Sequence, residues 1–414
     1  MIFRTMKKIL FTLVTIVTLL SCGKEKVEWI QLEDFTALDP TTCFIPYAVY
    51  DDDLKDSFAG TKTTSVTIAQ MGQEFLSRYL SGKVRSYCGT YMGENEHGEP
   101  VRMSGRIIVP TNKKVSRILL LSHYTITDDA SAPSNALPFE AVFAPQGLAI
   151  IAADYLGYGL TKNMMHPYLI PDQAARDVVN MYFAALPFLE AIGAKPKHDD
   201  ILLMGYSQGG AMTMAVQTLL EQCFPETKIR LNMSGAGPHD LCLTYDKMVE
   251  EDYAMIPVVI PMVLRTMKYS CGLDRVDLKD YIKPEYLDNL EKWIDSKAYS
   301  ADAITEMLGT HKLSKILTPS AMNKVSPAME DMYLAMKEQS ILYPENFMMP
   351  QAPVYLFHSM DDETVPFENS VELLDYIQGI SDVYYNFGHY GGHVDGMIRF
   401  IQGCLDLLEE KGDI

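Results

Sequence analysis

The feature that most constrains this chain is a glycine–serine–glycine motif between an apolar run and a helical pattern. The motif reads Gly-Tyr-Ser-Gln-Gly over residues 205–209, after the apolar residues 201–204 and before the helix-compatible segment 211–220. A strand that turns this sharply into a helix leaves no room for side chains at Gly205 and Gly209. Such a turn presents the Ser207 hydroxyl above the edge of a sheet, so the motif predicts a nucleophilic serine.

Short apolar strands alternate with helical patterns along most of the chain. Residues 117–121 and 148–152 are nearly all apolar, as in the central strands of a parallel sheet. The alternation predicts an α/β fold, with a mainly parallel sheet and helices on both faces. The remaining predicted elements are strands at 84–92, 101–109, 201–204, 229–233, 354–357 and 383–387, and helices at 65–80, 138–145, 172–192, 207–223, 367–377 and 394–410.

The interval 239–349 interrupts this alternation because it has no clear strand pattern. Its helical spacing and its prolines predict several short helices, and a structureless loop of this length is implausible. We interpret the interval as a helical cap inserted after the sixth predicted strand; an independent helical domain without a role at the site is the alternative. The predicted organisation is a signal peptide at 1–21, a tether and N-terminal extension at 22–83, a first core part at 84–238, the cap at 239–349 and a second core part at 350–414.

The N-terminus has the pattern of an export signal. Three basic residues precede the apolar stretch 9–20, which has the length of a signal peptide and is short for a membrane span. Residues 19–22, Leu-Leu-Ser-Cys, resemble the bacterial lipobox, whose cysteine is lipidated and becomes the mature N-terminus. The resemblance implies a lipid anchor on Cys22 at the bacterial cell envelope, facing the periplasm or the cell surface. A plain signal peptide with an incidental cysteine is the alternative.

The charge and the cysteines exclude several kinds of partner and site. The formal net charge is −19, from 35 Lys and Arg against 54 Asp and Glu, which argues against nucleic acid or anionic lipid as a partner. Six cysteines follow Cys22 without Cys-x-x-Cys spacing, and the histidines lack metal-ligand spacing, so we predict no metal or redox site. No dinucleotide or phosphate loop is present, so we predict no cofactor. Disulfide pairing and oligomeric state stay open.

Two segments near the end of the chain supply the other groups that a nucleophilic serine needs. A serine hydroxyl requires a base within hydrogen-bond reach and a carboxylate that orients the base. The segments read Asp-Asp-Glu-Thr-Val-Pro over 361–366 and Gly-His-Tyr-Gly-Gly-His over 388–393. With the 205–209 motif, they resemble the α/β-hydrolase superfamily, specifically its esterases, lipases and related peptidases. The resemblance implies the α/β-hydrolase fold, carboxylic ester hydrolysis and the chain order serine, acid, histidine.

Carried over residue by residue, the resemblance implies a triad of Ser207, Asp362 and His393. The Asp-x-x-Val-Pro pattern selects Asp362 as the acid and leaves Asp361 as its solvated neighbour. His393 matches the histidine just before the final helix, and His389 is its competitor.

A weaker resemblance links the chain to secreted lipases of fungal and bacterial type. Residues 154–159 read Asp-Tyr-Leu-Gly-Tyr-Gly, which is similar to the turn after the fourth strand of those lipases. We interpret Asp154 as a structural residue that satisfies loop amides.

A tetrahedral oxyanion needs two preorganised hydrogen-bond donors. The backbone amide of Gln208, directly after the serine, is the first. The second is expected from the loop after residue 121, which reads Ser-His-Tyr-Thr where many relatives have His-Gly. Tyr124 could contribute its amide or its hydroxyl, or could only pack in the pocket wall, and these interpretations stay open. His123 is interpreted as structural.

These residues predict a membrane-anchored serine hydrolase that cleaves small-molecule, lipid or glycan esters through an acyl-enzyme. A peptidase of the same fold is the first alternative, because it would share the triad. Its cap should hold a charged group for a peptide terminus, whereas residues 253–261 are mostly apolar, which favours an ester. A non-catalytic surface-binding lipoprotein is the second alternative, and such a protein would be expected to have lost a triad residue.

Overall fold

The computed structural model describes residues 43–59, 79, 82–343, 346 and 348–414, and the structural statements below refer to this part of the chain. The predicted signal peptide, the lipidation site Cys22 and nearly all of the predicted helix 65–80 lie outside the described residues. Within the described residues, no helix is both long enough and apolar enough to cross a membrane.

The described residues form one nine-stranded sheet. Its strands are β1 (Ile45–Asp53), β2 (Lys83–Glu94), β3 (Pro100–Pro110), β4 (Arg117–Ser122), β5 (Leu148–Ala153), β6 (Lys197–Tyr206), β7 (Lys228–Gly235), β8 (Val354–Ser359) and β9 (Val383–Gly388). Their spatial order is β1-β2-β3-β5-β4-β6-β7-β8-β9. The first three strands join in antiparallel pairing, and the other six are parallel to one another. The predicted α/β class with a mainly parallel sheet is confirmed.

Helices connect the strands and cover the sheet. They are α1 (Leu54–Ala59), α2 (Pro171–Ala191), α3 (Gln208–Cys223), α4 (Leu241–Glu250), α5 (Val259–Ser270), α6 (Pro284–Asp295), α7 (Ala301–Leu308), α8 (Leu313–Ile316), α9 (Glu330–Glu338), α10 (Glu368–Ile377) and α11 (His393–Glu410). The longest of them, α2, begins at Pro171, because the fixed φ and missing amide of proline suit a first helical turn.

The central strands β4 and β5 consist mostly of buried apolar residues because both faces of the sheet are covered. Successive side chains of a strand point to opposite faces. In β4, Ile118 and Leu120 therefore join the apolar cluster that includes α2 and α3. Leu119 and Leu121 join a second cluster, which includes Phe400 of α11. Burial on both faces is typical of a mainly parallel sheet.

Six helices, α4 to α9, lie between β7 and β8. Their apolar side chains, among them Tyr245, Met248 and Leu287, belong to the same cluster as α2 and α3. This segment therefore shares one apolar core with the helices on that side of the sheet.

Two of the differences between the structure and the predicted elements have a clear physical reason. The N-terminal extension contains β1, which was not predicted because its Pro46 and three aspartates have low β-propensity. Because β1 is an edge strand, it tolerates the proline and the aspartates. It pairs with β2 from Ile45 to Asp53. The predicted helix 138–145 is a 3₁₀ helix at Phe139–Gln146, and it contains Pro145, which lacks the amide that a longer helix would use.

Candidate active site

Ser207 occupies the turn between β6 and α3, in a backbone conformation that side chains rarely adopt. Its φ is 57° and its ψ is −125°, and its amide donates to the Gly235 carbonyl at 2.9 Å. A Cβ added at Gly205 would lie 2.1 Å from the Gly209 carbonyl oxygen, and one at Gly209 would lie 1.9 Å from the Ser122 carbonyl oxygen. Both glycines are therefore required by close backbone approach, and the turn holds Ser207 in its strained conformation.

Asp362 and His393 form a buried hydrogen-bonded pair. Asp362 lies in the loop after β8, and His393 is the first residue of α11, after β9. The His393 Nδ1 and Asp362 Oδ2 atoms are 2.6 Å apart, and the two side chains are 8% and 0% exposed. The other Asp362 oxygen accepts the amides of Thr364 and Val365, each at 2.8 Å. The loop therefore fixes the carboxylate in the orientation that meets the imidazole.

The surroundings of Asp362 keep its carboxyl group ionised. Burial by itself would raise the pKa of Asp362, but the facing His393 and the hydrogen bond from His358 outweigh it and hold that pKa well below its usual range. An ionised carboxylate that faces Nδ1 fixes the orientation of the imidazole ring.

The two competing residues form a separate pair at the surface. His389 Nδ1 lies 2.7 Å from Asp361 Oδ1, and the side chains are 74% and 44% exposed. The structure thus divides the four residues into an exposed pair and a buried pair.

A tyrosine joins His393 to the serine turn. Tyr206, the residue before Ser207, donates its hydroxyl to the His393 carbonyl at 2.8 Å. The rings of Tyr206 and His393 lie 5.0 Å apart between centroids. His393 therefore lies beside the strand end that carries Ser207.

The side chain of Gln208 is held by a buried histidine. Gln208 Nε2 donates to His166 Nε2 at 3.3 Å, and His166 Nδ1 donates to the Leu156 carbonyl at 2.7 Å. Burial lowers the pKa of His166 to about 3, so the ring is neutral and Nε2 can accept. The first residue of α3 is thereby anchored to the loop after β5.

The predicted oxyanion loop packs directly against this turn. The Tyr124 ring packs against a small cluster of Ile126, Ala132 and Tyr158, as in the pocket-wall interpretation. The next residue, Thr125, shares a hydrogen bond with the Tyr168 hydroxyl at 2.9 Å. The oxyanion roles of the Gln208 amide and of Tyr124 stay predictions.

His123 and Asp154 act as structural residues of the neighbouring loops. The buried His123 ring places Nδ1 2.7 Å from the Tyr124 carbonyl oxygen and Nε2 3.3 Å from the Asp154 carbonyl oxygen, and its single N–H can donate to one of them. Asp154 accepts the Ser134 amide at 2.7 Å and the Ser104 hydroxyl at 2.5 Å. These contacts agree with the structural interpretation of both residues.

A narrow cavity of about 50 Å³ opens at Ser207, and we call it the apolar cavity. Thr125 and Val365 line it from the core, and α4 and α5 supply most of the remaining wall. The residues from this side include Leu241, Met248, Ile256, Val259, Ile260 and Val263. Among the described residues, none that lines the apolar cavity carries a charge. Its chemistry is that of a site for a hydrocarbon group next to the serine.

Comparison with known proteins gives the family. Residues 141–402, more than half of the chain, match the sequence model of the secretory lipase family. The chain belongs to the secretory lipase family. It is accordingly a carboxylic ester hydrolase of the esterase and lipase type, as the sequence predicted. No match was found among curated protein sequences.

Solved structures share the fold of this secretory lipase. The esterase LipA from Xanthomonas oryzae, described as degrading the rice cell wall, is 19% identical with a TM-score of 0.72, over 90% of this chain and 98% of that chain. Lipase A from Candida antarctica is 14% identical with a TM-score of 0.55, over 75% of this chain and 73% of that chain. At these identities the likeness establishes the α/β-hydrolase fold, and the predicted fold is confirmed.

His358 of this secretory lipase contacts the acid of the buried pair, and it was not among the residues predicted from the sequence. His358 is fully buried in β8, and its Nε2 lies 3.0 Å from the Val365 carbonyl and 3.4 Å from Asp362 Oδ2. Its Nδ1 lies 2.7 Å from the Ser370 hydroxyl. His358 therefore positions the Asp362 loop. The available signal was a histidine inside an apolar strand, four residues before the predicted acid.

His239 follows Pro238, which lines the apolar cavity of this secretory lipase. It is fully buried, and neither ring nitrogen has a hydrogen-bond partner among the described residues. Burial, and to a lesser degree the nearby His358, lowers the pKa of His239 to about 3. Among the described residues, no group of three or more His, Cys, Asp and Glu is placed to hold a metal ion.

We expect His239→Leu to reduce the sensitivity of the enzyme to acid. An unfolded histidine has a pKa of about 6.5, so between about pH 6.5 and pH 3 the unfolded chain binds one proton more than the native protein does. Stability therefore falls as the pH falls through this window. From pH 7 to pH 5, His239 should account for a loss of about 2 kcal/mol in the free energy of unfolding, which the variant should lack.

Urea unfolding of both proteins at pH 7 and pH 5 measures this difference. His97→Leu is the control, because His97 is exposed in a turn. A His239→Leu protein that loses as much stability as the wild type between the two pH values would contradict the prediction.

Proposed function

We propose that this secretory lipase hydrolyses carboxylic esters through an acyl-enzyme, with Ser207, His393 and Asp362 as a catalytic triad. The observation that carries the proposal is the buried His393–Asp362 hydrogen bond of 2.6 Å, beside the turn that presents Ser207. The exposed His389–Asp361 pair is solvated and does not line the apolar cavity at the serine.

The roles follow from the chemistry of each group. His393 Nδ1 faces Asp362, so the other ring nitrogen, Nε2, is the atom that would accept the Ser207 proton. Asp362, ionised at working pH, orients the ring and stabilises the imidazolium that forms when Ser207 attacks the carbonyl carbon. His393 then returns the proton to the leaving alcohol. A water molecule that is deprotonated by the same nitrogen releases the acid in the second half of the reaction.

The oxyanion is proposed to bind between the first residue of α3 and the loop after β4. The Gln208 amide belongs to the turn itself, and the hydrogen bond from its side chain to His166 fixes the residue. The loop 123–125 supplies the second donor, through Tyr124 or its neighbour. Thr125 lines the apolar cavity together with Ser207, which supports this loop as the source.

Helices α4 to α9 are proposed to act as a cap that binds the acyl group. The proposed cap comprises residues 239–349, inserted between the two parts of the core. The apolar cavity begins at Ser207 and is walled mainly by α4, α5 and the segment between them. A peptidase would need a charged group there for a peptide terminus, and the lining residues are uncharged. An ester with a hydrocarbon acyl chain is therefore favoured. The names of the esterase LipA and of lipase A, two proteins with this fold, are consistent with such a substrate.

We also propose that the enzyme is exported and anchored by lipid on Cys22. Membership in a secretory family supports export. The basic residues, the apolar stretch 9–20 and the lipobox-like residues 19–22 support the anchor.

Labelling with a fluorophosphonate probe tests the proposed nucleophile. Such probes phosphonylate only a serine that an adjacent base activates, so we expect one adduct on Ser207, located by peptide mass spectrometry. Heat-denatured protein is the control and should remain unlabelled. A native protein without an adduct on Ser207 would exclude the mechanism and restore the non-catalytic lipoprotein as an explanation.

The position of the acyl group can be tested at Val263, which lines the apolar cavity from α5. Val263→Trp should fill part of the cavity and lower kcat/KM for p-nitrophenyl octanoate relative to p-nitrophenyl acetate by about tenfold or more. Ile380→Trp, at a residue that is 70% exposed, is the matched control and should leave this ratio unchanged. An unchanged ratio in Val263→Trp would mean that the acyl chain binds elsewhere.

A further inference from the structure

A second cavity, of about 270 Å³, reaches the start of α11, and we call it the polar cavity. Val394, the residue after His393, and Met397, one turn later in α11, line one wall. Thr125 lines both the polar and the apolar cavity, so the two spaces are separated by the loop next to the serine. Its volume is near the lower end of small-molecule sites, roughly 300 Å³.

We propose that the polar cavity binds the alcohol part of the ester and selects an uncharged, hydroxyl-rich alcohol such as a sugar or a polyol. The proposal rests on the proposed function. In that mechanism the histidine gives its proton to the leaving alcohol, so the alcohol oxygen must lie at His393. The polar cavity reaches Val394, the residue after His393, and shares Thr125 with the cavity at the serine, so it is the space into which the rest of the alcohol would extend, while the acyl chain enters the apolar cavity at Ser207.

The lining of the polar cavity is suited to hydroxyl groups. It presents two carboxylates, Asp128 and Asp302, together with the hydroxyls of Ser131 and Ser300. A carboxylate accepts a hydrogen bond from a hydroxyl group with extra strength because the acceptor is charged. Among the described residues that line the cavity there is no lysine or arginine, so it offers no partner to an anionic alcohol such as a phosphate ester.

Apolar surface is also present for the carbon skeleton of such an alcohol. The rings of Tyr124 and Phe139 line the cavity together with Val394 and Met397. A sugar has apolar C–H faces between its hydroxyl groups, and it can use both kinds of surface at once.

The local balance of charge favours a neutral alcohol over a cationic one. Asp128 accepts the amide and the hydroxyl of Ser131, both at 2.9 Å, so local donors already stabilise its charge. Asp302 lies in the first turn of α7, where the helix dipole offsets a negative charge. Asp302 is exposed at the rim, so an attraction to a cation there would be screened by salt.

Four butyrate esters that differ only in the alcohol test the proposal: glucose 6-butyrate, ethyl butyrate, choline butyrate and p-nitrophenyl butyrate. We expect the wild type to have a higher kcat/KM for glucose 6-butyrate than for the ethyl and choline esters. Asp302→Leu should lower the ratio of kcat/KM for glucose 6-butyrate to that for p-nitrophenyl butyrate by about tenfold. Asp302→Asn, which keeps an acceptor oxygen, should lower the ratio less.

Glu306→Leu is the matched control, since Glu306 is an exposed acid on the same helix outside the cavity lining, and it should not change the ratio. Equal losses on both esters in Asp302→Leu would overturn the proposal. So would a preference for choline butyrate that weakens as salt is added. If p-nitrophenyl butyrate is not hydrolysed in a Ser207-dependent way, the proposed function itself fails. If it is hydrolysed without any preference for the glucose ester, only the alcohol site fails.

Discussion

Ser207→Ala is expected to lower kcat for p-nitrophenyl butyrate by about 10⁴-fold or more, with KM changed little. Without the hydroxyl no acyl-enzyme can form, and the residual rate would come from binding and oxyanion contacts alone. The size of the loss distinguishes a nucleophile from a residue that only shapes the turn.

The measurement requires that the variant keeps its fold. Alanine can occupy the same turn, because Gly205 and Gly209, which make the close backbone contacts, are unchanged. The melting temperature should therefore stay near that of the wild type. Ser326→Ala, at a serine whose hydroxyl caps no helix, is the control and should keep full activity. A folded Ser207→Ala protein with wild-type turnover would reject the mechanism.

Asp362→Asn is expected to lower kcat by about 10⁴-fold. An asparagine fits the same space, but it carries no charge to stabilise the His393 imidazolium. It can also present its amide hydrogens to Nδ1, which favours the wrong tautomer of the ring. The loop amides of Thr364 and Val365 can still be accepted by the asparagine oxygen, so the geometry should survive while the electrostatic contribution is lost.

Asp361→Asn provides a closely matched control. It makes the same chemical change one residue away, in the exposed pair with His389, and exposed pairs contribute little. Its kcat should stay within about twofold of the wild-type value. If Asp361→Asn lost activity and Asp362→Asn kept it, the acid and its histidine would have to be reassigned to the surface pair.

Most of the fold could be predicted because its signals are local. The apolar run of β4 predicts a buried strand, and the glycines around Ser207 predict a tight turn. Each prediction needs only a few neighbouring residues. The strand β1 could not be predicted in this way. Its three aspartates are unfavourable in a strand, and its stability comes from partners far along the chain, through backbone pairing with β2 and the burial of Ala48 and Val49.

Only those residues of the candidate site that lie in sequence motifs could be proposed from the sequence. Ser207, Asp362 and His393 each lie in a short segment with a recognisable spacing. His358 carries no motif, and its contact with Asp362 depends on the pairing of β8 within the sheet and on the path of the following loop. Likewise, the ring of Tyr124 could be placed only after its neighbours in space were known.

The sequence by itself determined the alternation of strands and helices, the strained serine turn and the order of the candidate residues, because periodicity and glycine requirements act over a few residues. Only the tertiary structure decided which aspartate–histidine pair is buried, and that an apolar and a polar cavity flank the site. Burial and cavity shape arise from contacts between segments that are distant in the chain, such as α5, the loop at residue 125 and the start of α11. A short stretch of sequence does not contain those contacts.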